Sequence, residues 1–228
     1  MIIRQFSSKS KAFSFPLAEA VRSCRALASA NFDSSIDIVM NTFLDPRRQD
    51  QMLRGTCILP HGTGKTLRVA VFAQGELAEQ AKEAGADIVG SDSLIESIEQ
   101  GQIDFDKVIA TPDMMPIVAK VARLLGPRGL MPNPKLGSVT KDVKTAIEAA
   151  QGGQINFKTE KQGIIHACIG RASFTNEQLI ENIETLVEAI HEHKPSGAKK
   201  NKFFKSSFIS STHSKSLRLD INETPFKQ

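Results

Sequence analysis

The sequence contains no tryptophan, no tyrosine and only 3 cysteines among its 228 residues. Cys24, Cys57 and Cys168 form no Cys-x-x-Cys pair, which disfavours a disulfide framework and favours a reducing compartment. No apolar run approaches the ~18 residues that a membrane-spanning helix needs, so we expect a soluble protein with no membrane partner. Apolar residues make up 40% and charged residues 24% of the chain, which is typical of globular proteins and excludes collagen-like repeats and wholesale disorder.

Signals for metal binding and catalysis are missing as well. His191 and His193 are separated by one residue, so on a helix their side chains diverge and cannot chelate one ion. The other histidines have no Cys or His neighbour at ligand spacing, and no Gly-x-Ser-x-Gly motif occurs. Asp104 and Asp106 lie in a predicted turn that reads as a solvated loop. The sequence therefore predicts no metal, no cofactor and no catalytic residue.

Charge is distributed unevenly along the chain. Residues 1–66 hold 9 Lys and Arg against 5 Asp and Glu, and residues 156–228 hold 11 against 8. Residues 67–155 hold 9 against 12, so an acidic middle lies between two basic ends. This pattern suggests that the two ends face one polyanion together.

The hydrophobic pattern predicts an α/β protein with two domains. From Leu67 onward, short strands alternate with helices, including one helix over Asp113–Leu125, which indicates a parallel sheet covered on both faces. The flanking segments are too short to enclose separate cores. Pooled, residues 15–66 plus 154–228 predict a discontinuous α+β sandwich, into which a three-layer α/β/α (Rossmann-like) domain of residues 67–153 is inserted.

The first crossing between these domains contains a glycine-rich motif. Gly62-Thr63-Gly64-Lys65-Thr66 looks like the end of a nucleotide-binding P-loop, but the full pattern needs a glycine five residues before Gly64, where the chain has Leu59. The motif also precedes a predicted strand rather than a helix. A hinge, together with the second crossing at Gln151–Gln154, is the favoured interpretation; a nucleotide-dependent α/β enzyme that uses the Gly62–Thr66 turn is the alternative.

Two further segments keep alternatives open. Residues 1–14 contain Arg4, Lys9 and Lys11 but no acid, which suits either an organellar targeting segment or a basic arm. The segment Gly126–Lys135 has three prolines and two glycines, so it is a stiff loop. It is either a packed connection between helices or a place where Arg128 and Lys135 offer charge to phosphate.

The clearest chemistry lies near the C-terminus. Between Glu192 and Asp220 there is no acid, but there are 7 Lys and Arg, Lys205 among them, with serines and threonines between. Lysines and hydroxyls together suit contacts with phosphate and ribose. The predicted strand Phe203–Ser211 would form a hydroxyl-lined edge. Because Phe is the only stacking aromatic, the pattern favours structured RNA, recognised by shape and 2′-OH contacts, over single strands.

Several stretches resemble bacterial-type large-subunit ribosomal protein one, over about Phe15 to Asp220. They are Arg54-Gly-Thr with Leu59-Pro-His-Gly-Thr-Gly-Lys-Thr66, Ala84-Gly-Ala-Asp-Ile-Val-Gly90, Leu125-Gly-Pro-Arg-Gly-Leu-Met-Pro-Asn-Pro-Lys135, Gly163-Ile-Ile-His166 and the Lys194-Pro-x-Gly-Ala-Lys199 tail. The resemblance implies the two-domain fold, binding to the stalk region of large-subunit rRNA near the exit site, transient contact with deacylated tRNA and contact with other ribosomal components. The targeting-like N-terminus favours the mitochondrial ribosome over a plastid or bacterial one. A repressor that binds its own messenger is a further alternative.

The resemblance also implies RNA contacts at individual positions. Phe32 and Glu19 match the family's phenylalanine and glutamate around the first helix, and Ser206 and Thr212 match its contacts on the last strands. His213-Ser214 stand where the family usually has Met-Gly. The full set of predicted RNA contacts is Glu19, Phe32, Lys158, Lys161, His166, Arg171, Lys205, Ser206, Thr212, His213 and Ser214.

Overall fold

The computed structural model describes residues 14–195, 203–222 and 225–226, apart from the side chains of Gln49, Asp92 and Lys135. Residues 1–13 of the predicted targeting segment and Lys199, Lys200 and Lys202 of the basic stretch therefore lie outside the described residues. The helices are α1 (Leu17–Ala26), α2 (Glu76–Glu83), α3 (Asp92–Glu99), α4 (Met115–Val118), α5 (Ala122–Leu125), α6 (Val143–Gln151) and α7 (Asn176–Glu192). The strands are β1 (Ser35–Thr42), β2 (Arg54–Ile58), β3 (Val69–Phe72), β4 (Ile88–Gly90), β5 (Lys107–Ala110), β6 (Gln154–Lys158), β7 (Ile164–Arg171), β8 (Phe204–Ser211) and β9 (Leu217–Leu219).

An antiparallel sheet of four strands, in the order β7-β1-β8-β9, combines both ends of the chain. The expectation that β8 forms a hydroxyl-lined edge is wrong, because β9 takes the hydrogen bonds on its far side. Its hydroxyls also divide between the two faces of the sheet, as alternation along a strand requires. Ser207 and Ser211 are buried on the core face, whereas Ser206 and Ser210 lie on the opposite face.

Helices α1 and α7 cover the core face of this sheet. Both carry buried residues at helical spacing, and those of α1 are Leu17, Ala20, Val21 and Cys24. The helix predicted from Leu17 to Ala30 is shorter than expected, since α1 ends at Ala26. The predicted capping box of α7 is present: Gln178 N donates to Thr175 Oγ1 at 3.3 Å, and Thr175 N donates to Gln178 Oε1 at 3.0 Å.

The middle of the chain forms a parallel sheet of three strands in the order β4-β3-β5. Residues on α2 and α6 pack with Val69 and Val71 on one face, and residues on α3, α4 and α5 pack with Ala70 and Phe72 on the other. All four residues of β3 are buried, as expected for a strand covered on both sides. The predicted α/β fold class, with helices on both faces of a parallel sheet, is confirmed.

The single helix predicted over Asp113–Leu125 is wrong in detail, because the structure divides it. Two short α-helices, α4 and α5, are separated by a 3-10 turn at Ala119–Val121 and preceded by another at Pro112–Met114. Pro116 has no N–H to donate back to the preceding turn. Val121 has φ −94° and ψ 7°, outside the helical region, so a continuous helix is interrupted a second time.

The two chain crossings touch each other. Leu59 N donates to Gly153 O at 3.4 Å. A Cβ added to Gly153 would lie 2.3 Å from Gly62 Cα, and both glycines have positive φ, +90° and +64°. Only residues without a side chain allow this approach, so the two crossings act as one connection.

A buried amide fixes the first crossing to the large sheet. The Asn182 side chain, fully buried on α7, donates from Nδ2 to Gly62 O at 3.1 Å and to Ile169 O at 2.8 Å, and its Oδ1 accepts from His61 N at 3.2 Å. No helix follows this segment, which runs from β2 to β3. The Gly62–Thr66 turn is therefore held by α7 rather than opening a helix.

Beside this connection, a lysine links the inserted segment, residues 67–153, to the rest of the chain. Lys107 Nζ, on β5, donates to Gln154 O, at the start of β6, at 2.6 Å. Burial lowers the pKa of Lys107 to about 8. The parallel sheet is thus hydrogen-bonded directly to the β2·β6 ribbon, whose Arg54 and Lys158 stand opposite each other.

We predict that Gly153→Ala destabilises the protein more than Gly101→Ala does. Both positions have positive φ, +90° and +85°, so alanine costs about 1–2 kcal/mol at either. Gly101 has open space around it, whereas Gly153 faces Gly62, and relieving that overlap costs on the order of 1–3 kcal/mol more. Thermal unfolding of both variants measures the difference, and equal melting temperatures would contradict it.

The half-buried His191 is the group from which we expect sensitivity to acid. Both ring nitrogens of His191 are buried and have no hydrogen-bond partner among the described residues, and the ring contacts Phe203 and Phe204 at centroid distances of 5.9 and 5.3 Å. Burial lowers the pKa of His191, and the nearby Lys194 ammonium lowers it further. The folded protein therefore holds this imidazole neutral at pH values where the unfolded chain protonates it.

We predict that His191→Leu reduces the loss of stability on acidification. In the wild type, the free energy of unfolding contributed by this group falls as the pH drops below about 6.5, because the unfolded chain then binds the extra proton. Urea unfolding at several pH values, from about 7.5 down to about 5, measures the effect. His213→Gln, which removes an exposed imidazole, is the matched control. If both variants follow the wild-type pH dependence, His191 is not responsible.

Candidate RNA-binding surface

The face of the four-stranded sheet opposite α1 and α7 presents a mixed polar and apolar surface. We call it the outer face, and cross-strand register places its residues in rows: Ile164, Asn41 and Ser206; His166, Val39, Phe208 and Arg218; Cys168, Asp37 and Ser210. The core-facing residues Ile36, Ile38 and Met40 alternate with them along β1 and are fully buried. The buried face thus fixes which side chains the outer face displays.

One end of the outer face carries what we call the strand-end cluster: Phe32, Arg171, Thr212, His213 and Ser214. Phe32 is 54% exposed, and its ring stands edge-on to the ring of His213 at a centroid distance of 6.0 Å. His213 has φ +65°, and the turn closes through a hydrogen bond from Ser214 N to Ser211 O at 3.0 Å. His213 therefore adopts a backbone conformation that a glycine takes more easily.

Hydroxyl groups link Thr212 to the start of β1. Thr212 N donates to Ser35 O at 3.0 Å, and Thr212 Oγ1 lies 2.9 Å from Ser35 Oγ. Ser35 Oγ donates in turn to Asp37 Oδ2 at 3.2 Å. Thr212 is half-buried, and its contacts with Ser35 hold its hydroxyl in one place.

The loop that carries Phe32 is fixed by its neighbour Asp33. The Asp33 carboxylate accepts from Ser173 N at 3.1 Å and from Ser173 Oγ at 2.9 Å. Arg171 Nη1 donates to Asp33 O at 3.1 Å. The structure thus brings Arg171 to the strand-end cluster in contact with the loop. Sequence reasoning missed Asp33, since nothing near it in the chain indicates its distant partner Ser173.

Near the opposite end lies what we call the hairpin cluster: His166, Lys205 and Ser206 of the four-stranded sheet, with Lys158 and Lys161 of the adjoining β6 and its turn. Lys158 ends β6, Lys161 lies in the following turn, and both are exposed. His166 Nε2 lies 3.8 Å from Glu160 Oε2. Lys205 is exposed where the register of β1 and β8 shifts.

Asn41 also lies at this end of the outer face, and the sequence did not indicate a role for it. Its Nδ2 donates to Ser206 Oγ at 2.8 Å, which orients the Ser206 hydroxyl on the outer face. An Asn within an alternating strand gives no signal of such a role, because its partner Ser206 is distant in sequence. The two clusters stand at opposite ends of β1, roughly 20 Å apart for a strand of this length.

Glu19 lies away from both the strand-end cluster and the hairpin cluster. It is exposed in the first turn of α1, the helix on the core face. The other end of α1 approaches the strand-end cluster, where Arg25 Nε donates to Ala172 O at 3.2 Å. Most of the helix length therefore separates Glu19 from Phe32.

The cysteines are protonated rather than reactive. Burial, with a smaller contribution from the Asp37 carboxylate, raises the pKa of Cys24 to about 11. Burial also raises the pKa of Cys57 and of Cys168. Among the described residues, no group of His, Cys, Asp and Glu is arranged to hold a metal ion. In the same part of the chain, no helix has the length and apolarity needed to cross a membrane.

A family model described as "Ribosomal protein L1p/L10e family" matches residues 24–215. The match includes every residue of the strand-end and hairpin clusters, but it begins after Glu19. The family consists of structural ribosome components that bind rRNA, and it is not a family of enzymes. With its two-domain α/β fold and a match over most of its length, the chain belongs to the ribosomal protein L1p/L10e family and is a large-subunit ribosomal protein.

Proposed function

We propose that the chain binds the stalk region of large-subunit rRNA near the tRNA exit site and assists the movement and release of deacylated tRNA. Residues 15–66 plus 154–228 form the RNA-binding domain in this proposal, and residues 67–153 form the inserted domain. The targeting-like composition of residues 1–14 favours the mitochondrial ribosome. Family membership supports the rRNA part of the proposal.

The observation that carries the proposal is one sheet with two chemically different ends. At the strand-end cluster, Asp33 offsets the charge of Arg171, so recognition there depends on the Phe32 ring and the Thr212 hydroxyl. At the hairpin cluster, exposed lysines dominate. Hydroxyls and a ring suit ribose and bases, whereas lysines neutralise phosphates. A structured RNA laid along the sheet meets both kinds of contact.

Binding to a folded fragment of the rRNA stalk tests this function directly. We expect tight binding that weakens steeply with salt, and much weaker binding to an unstructured RNA of equal length and charge. Fluorescence anisotropy at several salt concentrations measures both. Equal affinity for the two RNAs would contradict the proposal, because charge alone would then explain the binding.

We predict that Thr212→Val weakens binding to the stalk fragment without changing its salt dependence. Valine keeps the shape but removes the hydroxyl, and one lost hydrogen bond costs about 0.5–1.5 kcal/mol. Ser35→Ala is the control, since it removes the internal partner of Thr212 and leaves the Thr212 hydroxyl in place. If the two variants lose the same affinity, the effect of Thr212 is internal and it makes no RNA contact.

We predict that Lys205→Ala makes the salt dependence shallower. A lysine on a phosphate releases roughly one counterion, so the slope of log K against log salt should fall by about 0.7–0.9. Lys120→Ala, an exposed lysine in the inserted segment, is the control and should keep the wild-type slope. A Lys205→Ala slope equal to that of the control would show that Lys205 does not contact phosphate.

A further inference from the structure

A second basic surface lies beside the hairpin cluster, on the β2·β6 ribbon. It surrounds an open groove of about 1010 Å³ lined by four exposed cations, Arg47, Arg54, Lys158 and Lys161. We call this the basic groove. Its lining contains one carboxylate, that of Glu160, which also faces His166 at 3.8 Å. Positive charge therefore dominates the groove, and the sequence analysis gave Arg47 and Arg54 no role.

The cations of the basic groove line one cavity, and the described part of the chain forms no ion pair with them. Arg54 and Lys158 stand directly opposite each other in the register of β2 and β6, an arrangement in which like charges repel. Among the described residues, none of the four cations is within ion-pair distance of a carboxylate. An anion between them converts this repulsion into attraction through charge-assisted hydrogen bonds.

The groove continues from the β2·β6 ribbon to the inserted segment. A second cavity, of about 410 Å³, shares Arg54, Lys158 and Glu160 with the basic groove and extends to Gly129, Asn133 and Leu136. Gly129 and Asn133 belong to the stiff loop Gly126–Lys135, which we call the proline-rich loop, and Leu136 directly follows it. Because the two cavities share three lining residues, they form one continuous track, which suits an extended polyanion better than a small ion.

The outward positions of the ribbon supply polar groups along this track. Thr56 and Asn156 are paired next to Arg54 and Lys158 and face the same way, since alternate residues of each strand share a face. The intervening Gly55 and Phe157 are buried towards the core. The ribbon thus presents cations at one end and neutral hydrogen-bonding groups towards the loop.

We propose that Arg47 and Arg54, with Lys158 and Lys161, bind the phosphodiester backbone of an RNA segment that lies in the basic groove and runs towards the proline-rich loop. This inference rests on the proposed function and extends it: the bound RNA turns past the hairpin cluster onto the ribbon. Lys158 and Lys161 are shared by both surfaces, which makes them continuous. RNA in the track contacts both the β2·β6 ribbon and the inserted segment. RNA binding and the relative arrangement of these two parts are therefore coupled.

The test replaces the two arginines that only the groove uses. In the full chain, Arg47→Gln together with Arg54→Gln should lower the salt slope of binding to the stalk fragment by roughly 1.4–1.8, because about two phosphate contacts are lost. Arg68→Gln together with Arg123→Gln removes the same charge from exposed arginines of the inserted segment and is the matched control. Equal slopes for the two double variants would overturn the inference.

A crosslink provides a second readout that does not depend on charge. Met52 is 40% exposed and lines the basic groove. With a photoreactive phenylalanine derivative at Met52, we expect a crosslink to the stalk fragment that the Arg47→Gln and Arg54→Gln pair abolishes. The same derivative at Leu124, which is 43% exposed on α5, is the control and should give none.

The outcomes separate this inference from the function on which it rests. If the wild type fails to discriminate the stalk fragment from unstructured RNA, the proposed function fails. If Thr212→Val weakens binding while the groove variants keep the control slope and no crosslink forms at Met52, the function stands and the basic groove does not bind RNA.

Discussion

The pairing of β1 with β7 on one side and β8 on the other is the interaction on which the rest of the molecule depends. It joins segments from both ends of the chain into one sheet, whose fully buried Ile36, Ile38 and Met40 contribute on the order of 1.5–3 kcal/mol each. The segment before Pro60 contains too little apolar surface to fold alone. The same pairing brings the Phe32 loop next to Thr212, so the candidate surface exists only when the sheet is complete.

Local patterns were sufficient to predict most elements of the fold. Alternation in β1 and the capping box of α7 were read directly, because burial and capping leave signals within a few residues. The interrupted helix between Asp113 and Leu125 was missed, since the apolar spacing of its residues suits a helix and the effect of Pro116 depends on its exact position in the turn. The inner position of β8 was missed because strand order is set by partners distant in sequence.

The candidate site was less predictable, and for a related reason. The resemblance supplied Phe32 and Thr212, and the structure places them together; whether they bind RNA stays a prediction. The residues that hold them, Asp33 and Ser35, act through partners more distant in sequence than any local pattern covers. The same holds for Arg54, whose neighbour Lys158 is defined only by the register of β2 and β6. Contacts between segments that are distant in the chain produce no periodic pattern in the sequence, so the sequence does not predict them.

The central position of β1 also imposes an order on synthesis. As the chain leaves the ribosome that makes it, β1 emerges first, and both of its hydrogen-bonding edges stay open until β7 and β8 follow. The segment from Val69 to Gln151, with the parallel sheet and its helices, is made in between, and its side chains form two buried clusters of their own. The nascent chain thus has a segment with its own core and, before it, a strand with two unpaired edges. Those edges are the part of the chain that a chaperone has to protect.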